Sequence, residues 1–217
     1  LLLIVLKNNI MRFSYVISFF SHPIWLPIYG AMIVLFNIPF FLPFEMVRFT
    51  WLLLLLVTIA LPSLIYLILF VRGWLQHPFI VPAEKQKWLL CGYIVMLLVV
   101  AFSITTIDHY PILWVYLMNL AVSCLILLLL LFFKFTPNVF VMGMGALMVF
   151  TLLLSLSFEK DMTYLIAAFT FMSGASITAQ YYLTAQPLRW LLLSWGIGAL
   201  PQLSLMLLLK NLLFGFH

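Results

Sequence analysis

Seven stretches of this 217-residue chain are each apolar over about the length a helix needs to cross a bilayer, and charge falls almost wholly between them. The hydrocarbon core takes roughly 20 apolar helical residues to cross. Charged residues are 7% of the chain, hydrophobic ones 67%, and the mean hydropathy is +1.27. A soluble domain needs far more charge to cover its surface. In lipid the backbone must satisfy its own hydrogen bonds, which leaves helices or a closed barrel. Barrel strands alternate polar and apolar residues, whereas 51–57 and 125–133 are apolar on every side. The expected fold is therefore all-α, a polytopic transmembrane helical bundle.

The expected spans are 14–37, 50–71, 88–107, 112–133, 138–157, 163–182 and 188–209. Pro23 and Pro27 each remove a helix hydrogen bond, so the first reads as a short surface helix leading into a kinked crossing. Pro62 should bend the second, with Thr58 four residues earlier helping to satisfy the freed backbone. Residues 1–12 read as an N-terminal segment in which Met11 could be the true start, and 13–217 as one transmembrane domain. No small-residue cleavage site follows, so no signal peptide is expected. No internal repeat stands out, which argues against an inverted-repeat transporter.

With the N-terminus inside, the inner loops collect Lys7, Arg12, Arg72, Lys85, Lys87, Lys134 and Arg189, against Arg48, Lys160 and Lys210 outside. That bias favours a cytoplasmic N-terminus and an external C-terminus. The basic residues lie in separate loops, so they form no patch for nucleic acid. They read as topology determinants and lipid-headgroup contacts.

No expected span holds an Asp, Glu, Lys or Arg at its middle. Such residues usually mark ion or proton paths, so a proton-coupled transporter or a voltage sensor is disfavoured. His22, His77, His109 and His217 lack metal-ligand spacing, and Cys91 and Cys124, inside apolar runs, read as small packing residues. Gly143 and Gly145 sit in an apolar run with no following Lys, so they are no phosphate loop. Asp108-His109 and Glu159-Lys160-Asp161 read as solvated turns, with Asp161 placed as an anion at the start of the sixth span. Within spans, Asn119 and Ser123 share a helix face and read as interhelical hydrogen-bonding groups. Ser173, Ser176 and Gln180 line another face, beside the small pair Ala175 and Ala179. Packing explains that stripe, and a polar path toward a site is the sharper reading.

The run Ser21-His22-Pro23-Ile24-Trp25-Leu26-Pro27-Ile28-Tyr29-Gly30 resembles the start of a group of small bacterial membrane proteins placed near the type 2 phosphatidic acid phosphatase superfamily. The resemblance covers most of the chain in layout. The family's motifs are Lys-x6-Arg-Pro, Pro-Ser-Gly-His and Ser-Arg-x5-His-x3-Asp; their basic residues hold phosphate, the last histidine attacks phosphorus with the acid orienting it, and the other histidine protonates the leaving group. Here the second falls on Pro137-Asn138-Val139-Phe140, where Pro137 alone matches. The third can be laid on Ala179-Gln180, Gln186 and Trp190, so that Gln180 replaces the arginine, Gln186 the nucleophilic histidine and Trp190 the acid. The first is not found, though Arg72, Lys85 and Lys87 occupy its loop. All three regions fall on one membrane face.

What the resemblance implies follows by subtraction. Glutamine cannot serve as nucleophile or general acid, and Phe140 has no proton to give. A transferring phosphoryl group needs positive charge around its oxygens, where Gln180 offers a dipole. The implied protein is a six-helix-core relative in a bacterial inner membrane that has lost catalysis and binds a lipid headgroup or a membrane partner. Arg72, Lys85, Lys87, Lys134, Gln180 and Arg189 are the candidate lipid-phosphate ligands, and no metal or cofactor is implied. Membrane lipids with anionic headgroups are the expected partners, and a membrane protein or a second copy stays open. Two other classes also stay open: a small transporter or permease-like subunit for an uncharged or lipidic substrate, and an active lipid phosphatase built on other residues such as His77, Asp108 and His109.

Overall fold

Residues 2–37, 43–73, 83–133 and 135–206 are described by this computed structural model, with side chains for 9–37 and 85–133 in the first and third stretches. They form helices and no strand. Helix α1 spans Leu2–Phe20, and a 3-10 turn, Pro23–Trp25, leads into α2, Leu26–Asn37. Helices α3, Phe44–Leu55, and α4, Leu61–Val71, are joined by a π-helical turn, Leu56–Ala60. Helix α5, Ala83–Val99, ends in a second π turn, Val100–Ile104. Then come α6, Pro111–Leu131, α7, Val139–Ser157, α8, Thr163–Thr184, and α9, Leu188–Gln202. Among the described residues, five stretches are by length and composition alone long and apolar enough to cross a membrane: Asn9–Asn37, Phe44–Val71, Lys85–Ile104, Pro111–Leu131 and Val139–Ser157. The chain is an integral membrane protein of the helical-bundle class.

The first expected crossing is two segments. Gln180 on α8 donates to Ser18 on α1 (2.9 Å), and earlier residues of both helices, Ile10 and Ser14 with Thr170 and Gly174, share one groove. At about 1.5 Å of rise per residue this fits only helices running in the same direction. Helix α2 runs with α7 instead: Leu26 lies at Gly143, and the Asn37 carbonyl accepts from Lys160 Nζ (2.7 Å) just past the end of α7. Since α7 and α8 are antiparallel, the chain doubles back across residues 21–25. His22 is extended there and caps the next turn, its Nδ1 accepting from the Ile24 N–H (3.3 Å).

Pro62 interrupts its helix as expected, and the interruption is the π turn, in which the Thr58 hydroxyl donates to the Leu54 carbonyl (2.6 Å). Below that turn α4 buries no side chain.

The core lies among α2, α6, α7 and α9. The buried Tyr116 ring packs on Phe150 (4.5 Å between centroids) and its hydroxyl donates to the Leu26 carbonyl (3.0 Å). Such a ring pair adds about 0.5–1.5 kcal/mol beyond area burial, and the hydroxyl keeps its hydrogen bond in a site without water. Helices α7 and α9 lie side by side with backbones nearly touching: a Cβ on Gly198 would run into the Met142 carbonyl, and one on Gly145 into the Trp195 carbonyl. Cys124 is buried in this core, as expected, whereas Cys91 is exposed on α5. Asn119 donates to Gln202 at the end of α9 (3.5 Å) and accepts from Ser204 just past it (3.0 Å), and its backbone carbonyl accepts from Ser123.

Candidate functional site

Helices α5, α7 and α9 start, and α4 and α8 end, at one end of the bundle, and there a cavity of about 720 Å³ opens. Its floor is a cluster of amides. Asn138, the residue before α7, uses its side-chain oxygen to cap the helix by accepting from the Val141 N–H (3.2 Å). That leaves its amide nitrogen to donate to both Gln180 Oε1 and Gln186 Oε1, each at 3.1 Å. Gln180 is 1% exposed, and its own nitrogen reaches Ser18. The Gln186 nitrogen donates to the Thr136 carbonyl (3.4 Å), and Gln86 of α5 donates to the Pro137 carbonyl (2.6 Å). The linker into α7 is thus held by amides from three other parts of the chain.

The walls are apolar and aromatic. His22 stands edge-on to Phe140 (5.2 Å) and to Tyr66 of α4 (5.9 Å), and the Tyr93 hydroxyl donates to the Pro23 carbonyl (2.7 Å). Leu61, Ile65 and Leu69 of α4 line one side. Among the described residues that line the cavity there is no Asp, Glu, Lys or Arg.

Of the six candidate phosphate ligands, Gln180 alone lines the cavity among the described residues. Arg72 is exposed at the end of α4, Lys87 is exposed on α5, and Lys85 is half-exposed beside Gln86. Arg189 is exposed and lies over the Trp190 ring (5.1 Å). Lys134 lies outside the described residues, as does His77. The structure brings together Asn138, Gln180, Gln186 and Phe140, and leaves Trp190 off the cavity, packed on Phe135 (4.8 Å). Sequence reasoning missed His22, Gln86, Tyr66 and Tyr93 as lining residues. His22 and Pro23 stood in the quoted opening run, and Gln86 between the two lysines.

The polar stripe on α8 serves both packing and site. Ser173 donates to the Met144 carbonyl (3.3 Å), Gln180 joins the amide cluster, and Ser176 Oγ has no hydrogen-bond partner among the described residues. At the far end of the bundle, Asp108 and His109 occupy an exposed turn in which His109 Nδ1 bonds the Thr106 hydroxyl (3.0 Å). Asp161 sits there too, its carboxylate accepting from the Thr163 N–H (3.0 Å) at the start of α8, the place expected of it. No group of three or more His, Cys, Asp or Glu that could hold a metal occurs among the described residues.

Chemically, the arrangement offers neutral donors and acceptors at the end of an apolar slot. That is a binding geometry for one polar group attached to something greasy. The chain matches no protein-family model, no curated protein and no solved structure.

Proposed function

We propose that this protein binds a membrane lipid in the cavity at the amide end of its bundle, as a noncatalytic protein with the layout of the type 2 phosphatidic acid phosphatases. The observation that carries the reading is the meeting of Asn138, Gln180 and Gln186 within 3.1 Å. These are the positions at which the resemblance lays the family's second and third motifs, and Asn138 at the start of α7 lies 42 residues before Gln180 near the end of α8 and 48 before Gln186 in the loop after it. Gln86, from the loop expected to carry the first motif, reaches the same linker (2.6 Å). Amides bind and orient, and they supply neither nucleophile nor proton donor near neutral pH. The membrane is, on this reading, a bacterial cytoplasmic membrane.

The test is purification in mild detergent followed by native mass spectrometry and a phosphatase assay. Retained lipid that is lost on filling the cavity with Gly92→Phe is the expected result. Hydrolysis of phosphatidate, abolished by His22→Ala, would overturn the noncatalytic reading.

A further inference from the structure

We infer that the ligand of this cavity has an uncharged polar end, a hydroxyl as in a diglyceride or a long-chain alcohol, and that it arrives sideways from the bilayer past α4. The inference rests on the lipid-binding reading above and narrows it.

The chemistry of the floor sets the head. Both amide hydrogens of Asn138 are spent on Gln180 and Gln186, and its oxygen on the Val141 N–H. One hydrogen of Gln180 goes to Ser18 and one of Gln186 to Thr136. By the inventory of an amide, each glutamine keeps one N–H, and its oxygen keeps a second lone pair. Gln180 is almost wholly buried, so it is the half-buried Gln186 at the cavity's floor that presents a single donor and a single acceptor side by side. A hydroxyl, which gives one hydrogen bond and takes others, matches both. A phosphate monoester only accepts when ionised and carries charge, and among the described lining residues it would find no cation. Burying such a charge without a partner is strongly unfavourable.

The wall sets the route. Helix α4 makes its main contacts with the π turn before it and buries no side chain. Leu61 and Ile65 line the cavity and are still 47% and 46% exposed, so the slot communicates with the surface that faces lipid. Opposite them stands Gly92 on α5, where a Cβ would meet nothing within 4 Å. An acyl or prenyl chain can lie in that open flank while its head reaches the amides.

The experiment uses the full chain in phosphatidylcholine nanodiscs with three photoactivatable probes carrying a diazirine in the chain: a diacylglycerol, the matching phosphatidic acid and a polyprenol. Labelled peptides are mapped by mass spectrometry. A neutral probe should label the cavity faces of α4 and α5 about tenfold more than phosphatidic acid, the margin one well-made hydrogen bond gives. Gln186→Leu should lower that labelling by a similar factor. Gly92→Phe should abolish it while the protein stays monodisperse, since the new ring fills open space. Which of the two neutral probes labels more strongly separates a glyceride ligand from a long-chain alcohol, and either supports the inference. Equal or stronger labelling by phosphatidic acid, still lost in Gly92→Phe, overturns the uncharged head and leaves the lipid-binding reading standing. Absence of cavity labelling by all three probes overturns that reading as well.

Discussion

The α7–α9 seam and the α4 wall are built from equally greasy sequence and do opposite things. Along the seam, backbones approach until Gly145 and Gly198 have no room for a methyl group. Along the wall, Leu61, Leu64, Ile65, Leu67 and Ile68 stay exposed and α4 buries no side chain. Hydropathy does not separate the two, since Phe44–Val71 is more apolar than Val139–Ser157 and yet far less buried. In a bilayer the lipid tails are as apolar as leucine, so greasiness does not drive helices together. What does is close approach, which small residues permit, and hydrogen bonds between helices, such as that from the Asn138 N–H to the Ser194 hydroxyl at the head of the seam (3.2 Å). A helix of large side chains with a π turn at its root stands off instead, and the gap it leaves is the cavity.

The largest effect should come from breaking the seam. Gly198→Val forces a side chain into the Met142 carbonyl, an obstacle that cannot swing aside, and should cost about 3 kcal/mol, the upper end of ordinary overpacking. Thermal melting in detergent should show it as early unfolding. Gly92→Ala, on the open flank, should leave the melt unchanged or raise it by no more than about 1 kcal/mol through helix propensity. Equal losses at both glycines would erase the contrast.

Asn138 joins the two regions, because it caps α7 and carries the amide floor. Asn138→Ala should cost about 1–2 kcal/mol by removing a cap and leaving two glutamine oxygens short of a donor. Asn138→Ser keeps a capping oxygen and loses the second arm. It should recover most of the stability while lipid labelling stays low. Should serine restore binding as well as stability, the floor is not the recognition element.

Helix runs and one close approach were readable from residues, and the seam was not, since Gly143 and Gly145 were weighed only as a phosphate loop. Pro111 opens α6 at its first turn, and the run to Leu131 was read to within two residues at each end. The small pair Ala175 and Ala179 was read as a place of close approach, and α1 lies there. The reversal at residues 21–25 was not read. Pro23 and Pro27 announce an interruption, but the direction taken afterwards shows only in contacts far away in sequence, such as Gln180 with Ser18 and Leu26 at Gly143. His22 was weighed for metal spacing alone, since its place beside Phe140 and Tyr66 depends on contacts far away in sequence. Asn138, Gln180 and Gln186 were singled out in the sequence only through a resemblance, and the structure brings these three side chains together. Arg72, Lys85, Lys87 and Arg189 lie at the cavity end of the bundle, whereas the reversal puts the start of α1, expected on the same face with Lys7 and Arg12, at the other end. Rotation about each helix axis then decides which side chain turns inward. Gln86 turns in between two lysines that do not line the cavity among the described residues.

A smaller effect tests the wall directly. Leu64 on α4 is 57% exposed, and Leu64→Ala should change the melt by no more than about 0.5 kcal/mol. Leu147, buried on α7, provides the scale, since Leu147→Ala should cost about 2–5 kcal/mol. A loss at Leu64 approaching that of Leu147 would mean that α4 is covered in the membrane by something that packs against it.

The smallest effect lies at the far end of the tight half, where α7 turns into α8. The Thr163 hydroxyl, and then its backbone N–H, hold the Asp161 carboxyl below its ordinary value of 3.8. A carboxyl whose folded value is lowered adds stability that is fully present above the unfolded value and is lost as pH falls through the folded one. The start of α8 should therefore loosen only below about pH 3.8, seen as faster amide exchange at Thr163. Asp161 is fully exposed, so solvent screens the interaction and the global melt should scarcely move. Asp161→Asn keeps an accepting oxygen and cannot titrate, so it should flatten the pH dependence at Thr163 without altering exchange on α4, which carries no acid of its own. Acid-induced loosening that spread to α4 would show that the two regions are coupled across the bundle, and the contrast between a rigid seam and an independent wall would have to be given up.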